Sequence, residues 1–320
     1  MDDSLPNHSR PPSVAVLLGR HPEGPSESMF QSMINWRLRT PFYYGWLVLA
    51  ISSVATFAAS GLTQVVLGGV QVYITDESGW GDGSLAFAAT LGTWLSGAIA
   101  PIIGRLADRF GPRWLMPFGL IIAGIAFFVI AGSDSVWQFY AGYVVGRAVS
   151  NPVLVGLVPR TSAVNFFRRR RNIALAMVST FRPISGAINI QIISLIAVHQ
   201  GWRVAYRYLG VLSLILILPV MLFIRRAPED IGLLPDGARP DTEEIAVGDT
   251  RPQMPMPEFS WTAKEAIRTG AFWLLLAITA LGTLASSAVG FSLVPFLVQD
   301  GGLSTQASAG VLSLGTFLAV

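Results

Sequence analysis

The sequence predicts an all-α membrane protein: an N-terminal bundle of six transmembrane helices followed by the first one to two helices of a second bundle. Three observations carry this. Hydrophobic residues make up 52% of the chain and charged residues only 13%, with a mean hydropathy of +0.54, far from the balance of a soluble domain. The apolar residues come in runs, and a helix crossing roughly 30 Å of hydrocarbon needs about 20 of them. The remaining charges gather in short segments between those runs, where they orient helices. The net charge of +3 therefore does not indicate a nucleic-acid partner.

Residues 1–41 open with two acids and continue through Pro, Ser, Glu and Arg. They lack the basic-then-apolar order of a cleavable signal and read as a disordered cytoplasmic tail. Seven spans follow, approximately Phe42 to Tyr73, Ser84 to Ala107, Trp114 to Gly132, Val136 to Pro159, Arg171 to Val198, Trp202 to Ile224 and Gly270 to Val298. An eighth starts near Ser304 and reaches Val320. Residues 42–224 make the first bundle, and residues 270–320 begin the second. Residues 225–269, rich in Pro, Asp and Glu, read as a cytoplasmic linker between them.

Basic residues set the orientation. The tail holds Arg10, Arg20, Arg37 and Arg39, the second-to-third turn three arginines, and the fourth-to-fifth loop Arg160 and Arg168 to Arg171. The long linker adds Arg225, Arg226, Arg239, Arg251, Lys264 and Arg268, while the opposite face holds only Arg203 and Arg207. That asymmetry places the amino terminus in the cytoplasm of a multi-pass protein of the plasma (inner) membrane. A weak internal repeat gives a second argument for two bundles: WLVLAI from Trp46 returns as WLLLAI from Trp273, and LGTWL from Leu91 returns as LGTFL from Leu314. A second half matching the first would give about 450 residues, so the chain reads as C-terminally truncated.

Two arginines lie well inside spans, Arg147 in the fourth and Arg182 in the fifth, whereas all 19 carboxylates fall in the tail, loops or helix ends. Facing lipid, each arginine would cost roughly 2.5 to 3.5 kcal/mol on insertion scales, so both are expected to face a wet cavity. At 100° per residue, Tyr140, Tyr143, Arg147 and Asn151 share one flank of the fourth span, beside a ridge of Gly142, Gly146 and Ser150 suited to packing. On the fifth span Ser179, Arg182, Ser185 and Asn189 align, with Pro183 expected to bend the helix near Arg182. The first span offers Ser53, Ser60, Gln64 and Gln71, and the seventh offers Thr279, Thr283 and Ser287. The expected substrate contacts are Arg147, Arg182, Gln64, Tyr143, Asn151 and Asn189. Unneutralised cations near the midplane favour a small organic anion, a mono- or dicarboxylate. The alternative for each arginine is a purely structural bond to backbone carbonyls.

The turn from Gly104 to Arg113, GRLADRFGPR, joins the second and third spans. Its charges require a membrane surface, its glycines permit a sharp bend, and Asp108 offers acceptors to unpaired helix-end amides. At Gly104, Leu106, Asp108, Arg109, Gly111 and Arg113 it resembles the signature loop of the major facilitator superfamily, with Pro112 in place of the usual basic residue. Four further stretches look like the monocarboxylate-transporter and oxalate/formate-antiporter branch. They are FFRRRRNIALAM from Phe166, GWR from Gly201, APEDIGLLPDG from Ala227, and the approach to the seventh span from Thr262. Asn172 stands where that branch has Gly. The resemblance implies the major facilitator fold and transport by alternating access. It implies a coupling proton or counter-anion as a further partner, a link between Arg147 and proton-coupled transport, and a latch between bundles at Gly104, Asp108, Arg109, Gly111 and Arg113.

Other classes find less support. No cysteine is present, and the three histidines, His8, His21 and His199, do not cluster, so no enzyme constellation and no metal or cofactor site is expected. The glycines Gly79, Gly81 and Gly83 read as a turn and not as a nucleotide loop. Proton-exchanging efflux of a hydrophobic or cationic compound, and a non-transporting sensor on the same fold, remain the alternatives.

Overall fold

In the computed structural model, residues 41–237 and 263–318 are described. Residues 1–40 and 238–262, which hold nearly all of the expected tail and the middle of the expected linker, lie outside them. Among the described residues seven helices are long and apolar enough to cross a membrane: Tyr44–Ser78, Asp82–Phe110, Pro112–Ala131, Val136–Phe166, Arg171–Gln200, Trp202–Phe223 and Gly270–Gln299. An eighth covers Thr305–Leu318, and no strand occurs among the described residues. The ends follow local chemistry. Gly111, at φ 74°, closes the second span, and Pro112 opens the third with a preset φ and no amide to satisfy. Ser135 and Thr269 cap the fourth and seventh spans, accepting from the amides of Gln138 and Phe272.

Two spans are interrupted. The first is helical over Tyr44–Ser60 and again over Gln64–Ser78, with Thr63 extended between them. The fourth widens into a π-turn at Asn151–Gly156, where Pro152 supplies no amide. Thr56 of the first span donates to the Leu154 carbonyl inside that turn at 2.6 Å, so the widened segment is anchored. The fifth span stays helical through Pro183.

Small residues let the helices approach. A Cβ on Gly146 would overlap Ala126, and one on Gly142 would sit 3.0 Å from Ile130 Cγ1, so the predicted glycine ridge is a packing surface. Apolar residues such as Val66, Phe127, Ile130 and Ile190 fill the interior.

The stretch directly after the sixth span packs against the bundle. Single turns at Glu229–Ile231 and Pro235–Gly237 bring buried Ile231 into a cluster with Tyr44, Val48, Phe166 and Phe167. Asp236 accepts from three successive backbone amides, Arg168 at 2.8 Å, Arg169 at 2.6 Å and Arg170 at 3.2 Å, at the start of the fifth span. The Tyr43 hydroxyl donates to the Phe166 carbonyl beside them at 2.8 Å.

Candidate functional site

The break in the first span creates the site. Where the helix stops, the Leu62 carbonyl loses its place in the helical ladder, and Arg147 Nη1 donates to it at 2.8 Å. The same guanidinium reaches Thr93 Oγ1 through Nε at 3.2 Å and Gln64 Oε1 at 3.5 Å, a longer contact. Arg147 is only 6% exposed and is thus a clamp across the first, second and fourth spans.

Beside this clamp lies a cavity of about 530 Å³. Gln64, Thr93, Arg147, Asn151 and Arg182 line it from the first six spans, and Thr279, Thr283, Ser286 and Ser287 from the seventh. Among the described residues its lining contains two arginines, several amides and hydroxyls, and no carboxylate. Arg182 is exposed to this space and makes no hydrogen bond or ion pair among the described residues. The two cations therefore play different parts: one holds backbone and side chains together, and the other is exposed to the cavity.

Four expected contact residues, Gln64, Arg147, Asn151 and Arg182, come together here. Tyr143 and Asn189 do not. Tyr143 is fully buried and stacked on Phe139 at 5.8 Å. It lies about one turn from Arg147 on the same helix, with its ring packed into the core and not among the cavity-lining residues. Asn189 shares the face of Arg182 but lies about 10 Å farther along the helix. There it is fully buried and donates to the Phe57 carbonyl and Ser60 Oγ at 2.6 and 2.5 Å, tying the fifth span to the first. Gln71 is likewise structural, donating to Asp82 at 2.7 Å.

Sequence reasoning missed Thr93 and Ser96 of the second span. Thr93 touches Arg147 and approaches Gln64, while Ser96 Oγ accepts from Asn151 at 2.9 Å. The available signal was their three-residue spacing, with Thr93 inside the LGTWL repeat.

The turn from Gly104 to Arg113 sits apart from the cavity. Arg226 donates to the Asp108 backbone carbonyl at 2.9 Å and packs on Gly111, where a Cβ would lie 3.0 Å from Arg226 Cγ. Gly104 is half-buried, and Arg109 and Arg113 lie over the rings of Phe110 and Trp114. The Asp108 carboxylate is exposed and bonds no helix-end amide among the described residues, contrary to the expectation for it. The backbone of the turn, and not its acid, is what the first bundle fastens.

Comparison with known proteins adds to this geometry. A family model for the Major Facilitator Superfamily matches residues 49–320. The membrane sensor protein UhpC of Salmonella typhimurium (strain LT2) is 28% identical over 149 residues, 45% of this chain and 33% of that protein. Human monocarboxylate transporter 11 is 26% identical over 192 residues, 56% of this chain and 39% of that protein. The matches thus span well under half the length of these relatives. A crystal structure of a bacterial homologue of the human lysosomal transporter Spinster, inward-facing and unoccupied, superposes with a TM-score of 0.64 at 16% identity. That superposition covers 88% of this chain and 61% of the other.

Proposed function

The chain belongs to the Major Facilitator Superfamily, and on that premise we propose that it carries small organic anions, mono- or dicarboxylates, by alternating access around the cavity. The observation behind this is Arg182, a mid-span cation exposed to a cavity lined by no carboxylate among the described residues. A carboxylate can accept two parallel N–H bonds from such a guanidinium, and low surrounding dielectric strengthens the pair. Arg147 contributes its charge while holding Gln64 and Thr93 in place. Similarity to human monocarboxylate transporter 11 supports the monocarboxylate and oxalate/formate branch. The arginine excess supports a cytoplasmic amino terminus in the plasma membrane. In this reading residues 42–224 form one moving bundle, residues 225–269 connect it to a second beginning at residue 270, and a proton or counter-anion moves with the substrate.

Counterflow of radiolabelled mono- and dicarboxylates into proteoliposomes holding the full-length protein tests the proposal. Exchange is expected, with competition by anions and not by cations. Arg182→Gln removes a charge-assisted bond of about 1.5 to 3 kcal/mol and is expected to slow exchange about ten- to hundredfold. Undiminished exchange in that variant would remove Arg182 from the site, and competition by cations would favour proton-exchanging efflux. Similarity to UhpC, described as a membrane sensor, supports a second reading in which the same cavity binds an anion without moving it. Saturable binding with no counterflow is its signature.

A further inference from the structure

Arg160, near the arginine-rich end of the fourth span, is a third cation with no acid beside it, and we propose that it recruits the anionic substrate. It draws the negative charge in from the arginine-rich face and passes it to Arg182. The inference deepens the anion reading above and rests on it.

Arg160 lies six residues before the fourth span ends at Phe166, about 9 Å along the axis. Arg182 lies eleven residues into the fifth span, which starts at Arg171, about 16 Å along it. Only residues 167–170 separate the two helices, so both lengths are counted from one face. The closing turns of the fourth span, Leu157–Phe166, pack against the fifth. One turn before Arg160, Leu157 faces the second span, where a Cβ on Gly104 would lie 3.6 Å from Leu157 Cδ2. Arg160 is exposed and makes no hydrogen bond or ion pair among the described residues. It stands outside the cavity lining, to which Arg182 and Arg147 belong. The charges of Arg160 and Arg147 both bear on Arg182, which therefore stands electrostatically between an outer cation and a buried one.

An arginine that only set topology would need the right side of the membrane and nothing more. Here three guanidiniums act on one another, and none is paired with a carboxylate among the described residues. Such an arrangement costs repulsion, and stability alone would favour an intervening acid or a wider spacing. An anion relieves it. The three cations are also graded: Arg160 is exposed, Arg182 faces the cavity, and Arg147 is buried. Attraction strengthens as the surrounding dielectric falls, so an anion that meets Arg160 first is held weakly there and more strongly farther in. A charge at the rim of a site acts mainly on the approach of its ligand.

The chain has no cysteine, so a single introduced thiol can report on the cavity. Thr283→Cys places it in the wall. In oriented vesicles of the full-length protein, this thiol is treated from the arginine-rich face with two impermeant methanethiosulfonates of similar size, one carrying a sulfonate and the other a trimethylammonium. Adding Arg160→Gln is expected to lower the ratio of anionic to cationic labelling rates about threefold, and Arg160→Lys to restore it. Arg160→Met is the second neutral variant should Arg160→Gln fail to reach the membrane. The parent ratio is expected to fall as salt rises from about 0.01 to 1 M, which shortens the screening length from about 30 to 3 Å. A ratio unchanged in a neutral variant with the parent's melting curve overturns the proposal, as does a parent ratio insensitive to salt. Counterflow of radiolabelled lactate and succinate in the same vesicles separates this inference from the reading beneath it. Arg160→Gln is expected to raise KM from the arginine-rich face about fivefold. Counterflow with the parent's KM overturns the recruiting role and leaves the anion reading intact. A lowered labelling ratio without counterflow of either acid defeats the anion reading and leaves Arg160 as an anion-attracting residue.

Discussion

Arg147 and Arg182 have the same side chain and line the same cavity, and their surroundings give them different work. Arg147 is buried and bonded to the Leu62 carbonyl and Thr93, whereas Arg182 is exposed to the cavity without a bond among the described residues. Removing a buried donor leaves its acceptors unsatisfied at a cost of about 1 to 3 kcal/mol, while removing one with no protein acceptor strands none. Arg147→Met is therefore expected to lower the thermal midpoint of the detergent-solubilised protein, and Arg182→Gln to leave it unchanged while impairing exchange. Equal shifts in the two melting curves would refute this division. Both arginines were legible in the sequence as charges that must avoid lipid. Which of them is clamped was not, because the partner carbonyl exists only where the first span breaks.

At the level of elements, the segment after the sixth span acts as a brace for the start of the fifth. Burial alone would raise the pKa of Asp236, but the amides of Arg169, Arg168 and Arg170, with the charge of Arg170, outweigh it and hold the carboxyl below its ordinary range. Its folded pKa is lower than its unfolded one, so the stabilisation is fully present above the ordinary carboxylate value and is lost as pH falls through the folded value. Acidification below about pH 4 is expected to open the brace, read as faster amide exchange at residues 168–170. Asp236→Asn, which keeps one acceptor and loses the charge, is expected to show faster exchange already at neutral pH, with no further acid step at these amides. The sequence marked this stretch only through a family resemblance, since three amides converging on one carboxylate require chain segments some sixty-six to sixty-eight positions apart to meet.

Across the whole molecule, the turn at Gly104 to Arg113 is fastened through its backbone, which leaves the Asp108 carboxylate exposed and unbonded among the described residues. An acid so placed is available to a partner outside the first bundle, in keeping with a latch. Asp108→Asn is expected to reduce counterflow several-fold at unchanged membrane abundance and unchanged melting temperature. Normal counterflow would confine the turn to setting topology. Stability and transport separate in this prediction because no hydrogen bond among the described residues depends on the carboxylate.

Composition and charge placement by themselves determined the span count and the approximate helix bounds, because hydrocarbon thickness imposes a length and the cost of a charge in lipid imposes the loops. The tertiary structure alone decided that Tyr143 and Asn189 are core residues and that Thr93 joins the site. It also decided that the first span breaks beside Arg147. Helical spacing fixes an angle on one helix, whereas a cavity wall depends on where neighbouring helices approach and part, which is set by packing between residues far apart in the chain.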